Sequence, residues 1–196
     1  MPVRLELQQN SGAWLAWRRG GVGASDAPVI MGVSPWMDLE TLWLEKTGRH
    51  AGRPSSHAMR RGQVLEPEAR ERYIRATGVH VEPVCLEHAT RDWMRASLDG
   101  LSADGEVVVE IKCPGGADHG RALDGEVPDK YVPQLQHLLA VSGAGLCHYW
   151  SYRDGEGALI EVVPDRAYIR RLVEREHEFW RHVVADRRPQ PSLFEF

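Results

Sequence analysis

Apolar residues change their spacing several times along the chain, and each change marks an element. Leu65, Ala69, Tyr73 and Ala76 recur at helical spacing and predict a long helix from about Ala58 to Thr77, with Gly78 as its stop. The period then shortens. Val79, Val81 and, beyond Pro83, Cys85 alternate, so 79–88 and 93–98 read as strands that pair with a strand ending at Lys112. Helical spacing returns from Lys130-Tyr131 to about Ser142 and again over 165–185, where Ile169, Leu172, Val173, Phe179 and Val183 share a side. Between these two helices, 145–153 and 158–163 form a hairpin around Asp154-Gly155. Upstream, Ser11 caps a short helix carrying Trp14, Leu15 and Trp17. Ser25 stands near the N-cap of a second helix, and Ser34-Pro35 opens a third that runs through Leu39, Leu42, Trp43 and Lys46 to Gly48. His50 to Ser56 reads as a mobile loop, 115–121 as a polar helix or loop, and Arg187 to Pro191 as an extended tail. Helices followed by three strands, a helix, two strands and a closing helix predict an α/β layered core around one mixed sheet.

The stretch Asp99–Lys112 carries the chemistry. Asp104-Gly105 favours a tight turn, Leu98 and Leu101 suit one strand, and Val107, Val108 and Val109 suit its partner. A turn centred on Asp104-Gly105 places Asp99 opposite Glu110. Strand alternation then puts Glu110 and Lys112 on one face and Ile111 on the other. Two facing carboxylates repel. A divalent cation between them turns the repulsion into ligation, and hard oxygen donors suit magnesium or manganese. Lys112 could orient or deprotonate a water and stabilise developing phosphate charge. Glu-x-Lys alone is common; the preceding Asp in this register makes the pattern selective.

A chain of 196 residues with 42% hydrophobic content can bury one core, so a single domain over 1–196 is the expectation. The net charge of −4 argues against a general basic coat for nucleic acid, but not against basic residues placed locally around an acidic site. Cys85, Cys113 and Cys147 are odd in number and form no Cys-x-x-Cys pair, which disfavours a zinc knuckle or a four-cysteine cluster and fits a reduced, intracellular protein. There is no run of membrane-spanning length and no signal-peptide core at the N-terminus.

Gly20-Gly21-Val22-Gly23 feeds the second helix. A glycine-rich turn at a helix start offers free N–H groups to an anion, and Arg18 or Arg19 nearby makes a terminal phosphate a plausible occupant, although an ordinary capped turn has the same composition. His137 reads as a surface or satisfied histidine rather than a ligand. Glu66 reads, from spacing alone, as a solvated helix residue.

Five motifs in order resemble the lambda exonuclease/YqaJ viral recombinase family of the PD-(D/E)xK nuclease superfamily: W-R-R-G-G-V-G-A-S-D (17–26), R-G-Q-V-L-E-P-E-A-R (61–70), A-S-L-D-G-L (96–101), V-E-I-K-C-P (109–114) and Y-V-P-Q-L-Q (131–136). Leu98 stands where the family usually has a small residue or proline. The resemblance implies a restriction-endonuclease-like α/β core and a magnesium-dependent exonuclease, with manganese substituting. It would degrade the 5′-terminated strand of linear double-stranded DNA processively, leaving 3′ overhangs for recombination by strand annealing. It further implies Asp99, Glu110 and the Ile111 carbonyl as metal ligands, Lys112 at the attacking water, and Glu66 as an additional metal-associated carboxylate. Gln134 would support the site, and Arg18 with Ser25 would hold the 5′-phosphate. A toroidal homotrimer, a single-strand annealing partner and a phage- or prophage-encoded protein in the bacterial cytoplasm follow from the same resemblance. The competing expectations are a restriction-type endonuclease on the same hairpin and a non-catalytic DNA-end binding protein.

Overall fold

The computed structural model describes residues 1–50 and 56–189. Its sheet is organised around a long hairpin, β4 (Arg91–Ser102) and β5 (Val107–Lys112), which pair antiparallel with Gly100 opposite Val109 and Leu101 opposite Val108. β3 (Val81–His88) lies antiparallel on the far side of β4, and β1 (Val3–Leu5) lies antiparallel beyond β3. β2 (Val22–Gly23) pairs parallel with β4 at Met94 and Arg95. On the other side β6 (Leu146–Arg153) runs parallel to β5, and β7 (Glu156–Val162) closes the sheet as an antiparallel hairpin partner of β6. The described residues therefore form a mixed sheet of seven strands, the α/β architecture expected.

Among the described residues seven α-helices flank it: α1 (Gly12–Arg19), α2 (Ala27–Ile30), α3 (Leu39–Lys46), α4 (His57–Thr77), α5 (Gly116–Leu123), α6 (Val132–Ser142) and α7 (Arg166–Val184). α4 covers one face. Its Ala69 and Tyr73, both fully buried, pack on Val81, Val109, Ile111, Trp150 and Tyr152. α6 covers the other face, where Leu135, Leu138 and Leu139 pack on Leu98, Leu101, Val108 and Tyr149. Each fully buried leucine contributes roughly 1.5–3 kcal/mol. α6 is also pinned at His137, which is completely buried. Its Nδ1 lies 2.7 Å from Glu176 Oε1 of α7 and its Nε2 lies 3.0 Å from the Arg95 carbonyl of β4. The Arg95 carbonyl can only accept, so Nε2 carries a proton, and with Glu176 at Nδ1 the ring is satisfied at both nitrogens, as expected. Burial opposes a charge on the ring, but Glu176 outweighs it and the His137 pKa is raised.

β4 is not a regular strand. Leu98 pairs with Val84 and Leu101 with Glu82, so β4 spends three residues where β3 spends two, a bulge at Asp99–Gly100 opposite Pro83. Leu98 and Leu101 consequently both face α6 although they are three apart. Gly100 is required here: a Cβ would stand 2.7 Å from Val81 Cγ2 and 2.9 Å from Val81 Cβ.

Several local expectations change. The connection between β4 and β5 takes four residues, 103–106, and only Gly105 has positive φ, at 78°. Asp104 instead accepts from Ser102 Oγ at 2.5 Å and the Glu106 N–H at 3.1 Å, so the side chain builds the turn. The centre of the hairpin, and hence its register, is as read. Asp154-Gly155 does form the two-residue turn, with φ of 49° and 89°. Ser11 caps α1 and Gly78 terminates α4 at φ 72°. Ser34-Pro35 does not open α3; Asp38 caps it, accepting the Thr41 N–H at 2.7 Å. Ser25 stands near the N-cap of α2 as expected, one residue before Asp26, which holds that position, and its hydroxyl is held by Arg18. Ala76 is exposed rather than part of the α4 stripe. β1 and β2 are too short for a periodicity to announce. Of the loop expected over 50–56, residues 51–55 lie outside the described residues, as do Gln190 and Pro191 of the tail.

Candidate active site

The bulge aims the half-buried Asp99 at β5. Its Oδ2 accepts the Ile111 N–H at 2.8 Å, just beyond the Gly100–Val109 rung of the β4–β5 ladder, so the carboxylate sits between the two strands. Glu110 is 3% exposed and faces α6 together with Lys112, whereas Ile111 packs under α4. Two donors converge on one oxygen, Glu110 Oε1: the Lys112 ammonium, and Gln134 Nε2 of α6 at 2.6 Å. Asp99, Glu110, Ile111, Lys112 and Gln134, drawn from three elements, are thus brought together by direct hydrogen bonds.

Glu66 stands one step back. On α4 its Oε1 accepts from Arg70 Nη2 at 2.5 Å, and Arg70 Nε in turn donates to the Asp99 carbonyl at 2.8 Å. Glu66 is therefore tied to the site through Arg70 rather than converging with Asp99 and Glu110. Its negative charge still reaches Asp99. Burial, then Glu110, then Glu66 push the Asp99 carboxyl well above its ordinary range, against the opposing pull of Lys112. Burial acts against the charge on Lys112, but Glu110 and Asp99 outweigh it and its pKa is raised. Lys112 also lies 5.4 Å from the ring centre of Tyr131, whose hydroxyl is pushed up to about 12 by burial.

The second constellation lies at the glycine turn. Arg18 Nη2 donates to Ser25 Oγ at 2.5 Å and its guanidinium packs over Trp14, 4.6 Å from the ring centre, while Arg19 is exposed. The turn is pressed onto β4: a Cβ at Gly21 would stand 2.5 Å from the Trp93 carbonyl. Gly23 pairs with Arg95, four residues before Asp99 on the same strand, so the turn lies on the order of 13 Å from Asp99 along β4.

Three residues of these sites are given no role by the sequence reading. Arg70 carries a usable signal, since it follows Glu66 by one helical turn. Lys46 and Asp26, which meet at 2.5 Å beneath the turn, carry none, because they lie on separate helices.

Among the described residues no three His, Cys, Asp or Glu side chains form a metal-holding group. The available donors are two carboxylates and the Ile111 carbonyl, all hard oxygens. Crowding of Asp99 by Glu110 and Glu66 is the electrostatic condition that a divalent cation relieves. The residues fit such an ion.

A mixed sheet flanked by helices, with a bulged acidic hairpin at its centre, defines a restriction-endonuclease-like fold. The chain belongs to the family of YqaJ-like viral recombinase domains, whose family model matches residues 13–145. It is 29% identical over 177 residues to YqaJ of Bacillus subtilis (strain 168), an uncharacterized protein, covering 87% of this chain and 56% of that one; the chain thus spans little more than half the relative's length. Among solved structures it resembles an alkaline exonuclease from Laribacter hongkongensis, with 28% identity, TM-score 0.79, and coverage of 90% of this chain and 94% of that one. The complex of that exonuclease with dAMP matches at 29% identity, the same TM-score and the same coverage of both chains. A phage-related exonuclease from Haemophilus somnus 129PT shares the fold at 11% identity and TM-score 0.63, over 85% of this chain and 96% of that one.

Proposed function

We propose that this chain is a single-domain, metal-dependent deoxyribonuclease that degrades linear double-stranded DNA from its 5′-phosphorylated ends. The observation that carries the reading is the meeting of Lys112 and Gln134 on Glu110 beside a crowded Asp99. Asp99, Glu110 and the Ile111 carbonyl would hold magnesium, or manganese in its place, with Glu66 bearing on the site through Arg70. Bound there, the cation supplies Lewis-acid polarisation of the scissile phosphate.

The residues of the chain divide the remaining work. Gln134 fixes the rotamer of Glu110, and Arg70 fixes the backbone of Asp99. Lys112, protonated beside two carboxylates, offers an ammonium to orient the attacking water and to meet charge developing on the phosphate. Arg18 and Ser25 take the terminal 5′-phosphate, so that each cut leaves a new phosphate for the same anchor and digestion proceeds stepwise. A homotrimeric ring around DNA accounts for processivity despite a net charge of −4, because positive charge can be concentrated in a tunnel. The 3′ overhangs would pass to a single-strand annealing protein in phage-type recombination, inside the bacterial cytoplasm. No helix among the described residues is long and apolar enough to cross a membrane.

Digestion of linear duplex labelled at either end, with magnesium and beside a closed circular control, tests the reading. Progressive loss from 5′-phosphorylated ends with the circle intact supports it. Cutting of the circle would make the protein an endonuclease, and no cleavage with any divalent metal would leave a DNA-end binding protein.

A further inference from the structure

Lys46 ends α3 with its side chain only 8% exposed. An ammonium has three N–H donors, and this one places all three. They go to Asp26 Oδ2 at 2.5 Å, the Gly21 carbonyl at 2.7 Å and the Arg18 carbonyl at 3.0 Å. Asp26 Oδ2 also accepts the Gly23 N–H at 2.8 Å. Lys46 and Asp26 together therefore tie both ends of the glycine turn.

The charges around the turn bear on its use. Arg18 and Asp26 both flank Gly23, where a Cβ would stand 4.0 Å from Arg18 Nε and 3.6 Å from Asp26 Oδ2. Asp26 is 7% exposed, and a carboxylate so placed needs a cationic partner. Against burial, Lys46 and then Arg18 hold its carboxyl below the ordinary range, and its charge also reaches the buried His137. While Lys46 serves Asp26, Arg18 is left to Ser25 and to an anion. Take the Lys46 charge away and Asp26 competes for Arg18, while the group of Arg18, Lys46 and Asp26 drops from one net positive charge to none.

We infer that Lys46 is a positioning residue for recognition of the terminal phosphate: by neutralising Asp26 from beneath, it keeps the Arg18 guanidinium available to the 5′-phosphate of DNA. This rests on the assignment of Arg18 and Ser25 as the phosphate anchor.

The test is the ratio of kcat/KM on 5′-phosphorylated to 5′-hydroxyl duplex ends, taken within one preparation so that the active fraction cancels. Lys46→Gln retains donors for the two carbonyls but loses the charge, and is expected to lower the ratio about tenfold. Adding Asp26→Asn removes the competing carboxylate and is expected to bring the ratio back to within about threefold of the unmodified protein. If Lys46→Gln does not accumulate as folded protein, Lys46→Met repeats the measurement. An unmodified protein that prefers phosphorylated ends, with a single variant whose ratio is unchanged, overturns the role of Lys46 and leaves the anchor standing. A lowered ratio that the double variant does not restore overturns the charge argument. A ratio of one in the unmodified protein overturns the anchor and this inference together.

Discussion

Lys112 and Glu110 stand two residues apart on β5, and the ammonium of the first donates to the carboxylate of the second on the face covered by α6. The pair places a fixed positive charge beside the acidic end of the hairpin.

Removing that charge separates chemistry from binding. Lys112→Ala should lower the cleavage rate by on the order of a hundredfold or more while duplex binding, followed by gel shift, stays largely intact. Metal-dependent turnover close to that of the unmodified protein would remove Lys112 from the active site.

Arg18→Ala should reduce the preference for 5′-phosphorylated over 5′-hydroxyl ends by about tenfold, since Arg18 is the cation on Ser25. Equal preference before and after the substitution, in competition assays with both ends present, would count against the anchor.

Asp99 is stressed in the absence of metal. Its folded pKa lies well above its ordinary value, so its contribution favours folding below the unfolded pKa and is lost as pH rises through the folded one. Asp99→Asn keeps an oxygen for the Ile111 N–H and sheds the charge. It should abolish cleavage and at pH 8 raise the Tm of the metal-free protein by about 2–4 °C for each kcal/mol relieved. A lower Tm in calorimetry would refute the account of a crowded acid.

His137 carries a stability prediction of the same kind with its own pH window. Its folded pKa is raised, so the stability it contributes is present below the ordinary histidine value of 6.5 and is lost as pH rises through the folded pKa. Burial raises the Glu176 carboxyl as well, so the ion pair itself fades in acid as that group protonates. His137→Leu strands a buried carboxylate and should cost about 3–5 kcal/mol near pH 6, with the gap to the unmodified protein narrowing in alkaline solution. Urea titrations at several pH values measure it. A gap that stays constant with pH would mean the ring is neutral.

Legibility in the sequence follows the distance over which each feature is determined. Asp99, Glu110 and Lys112 lie on one hairpin, and the alternation of β5 with an Asp-Gly near the turn was enough to set their register. The stop of α4 at Gly78 and the turn at Asp154-Gly155 were equally local. Caps proved less so: Ser34 has the right chemistry, but Asp38, four residues further on, accepts the Thr41 N–H and caps α3 in its place. Gln134 and the pairing of Arg18 with Ser25 could be named only through motif order, since nothing near them in the chain says what they meet. Lys46 reaches carbonyls 28 and 25 residues away, beyond the reach of any periodicity.

The bulge at Asp99–Gly100 is a one-residue surplus, and the ladder on either side of it would close without it. Deleting Gly100 would restore even pairing of β4 with β3 and keep Leu98 and Leu101 on the α6 face. It would also carry Asp99 into the place of Gly100, opposite Val109 and away from Glu110. The shortened chain would pair β4 evenly with β3 but would press an aspartate Cβ against Val81 where only glycine fits. It would hold no acidic pair, so the surplus residue serves the packing of the sheet and the placement of the acid together.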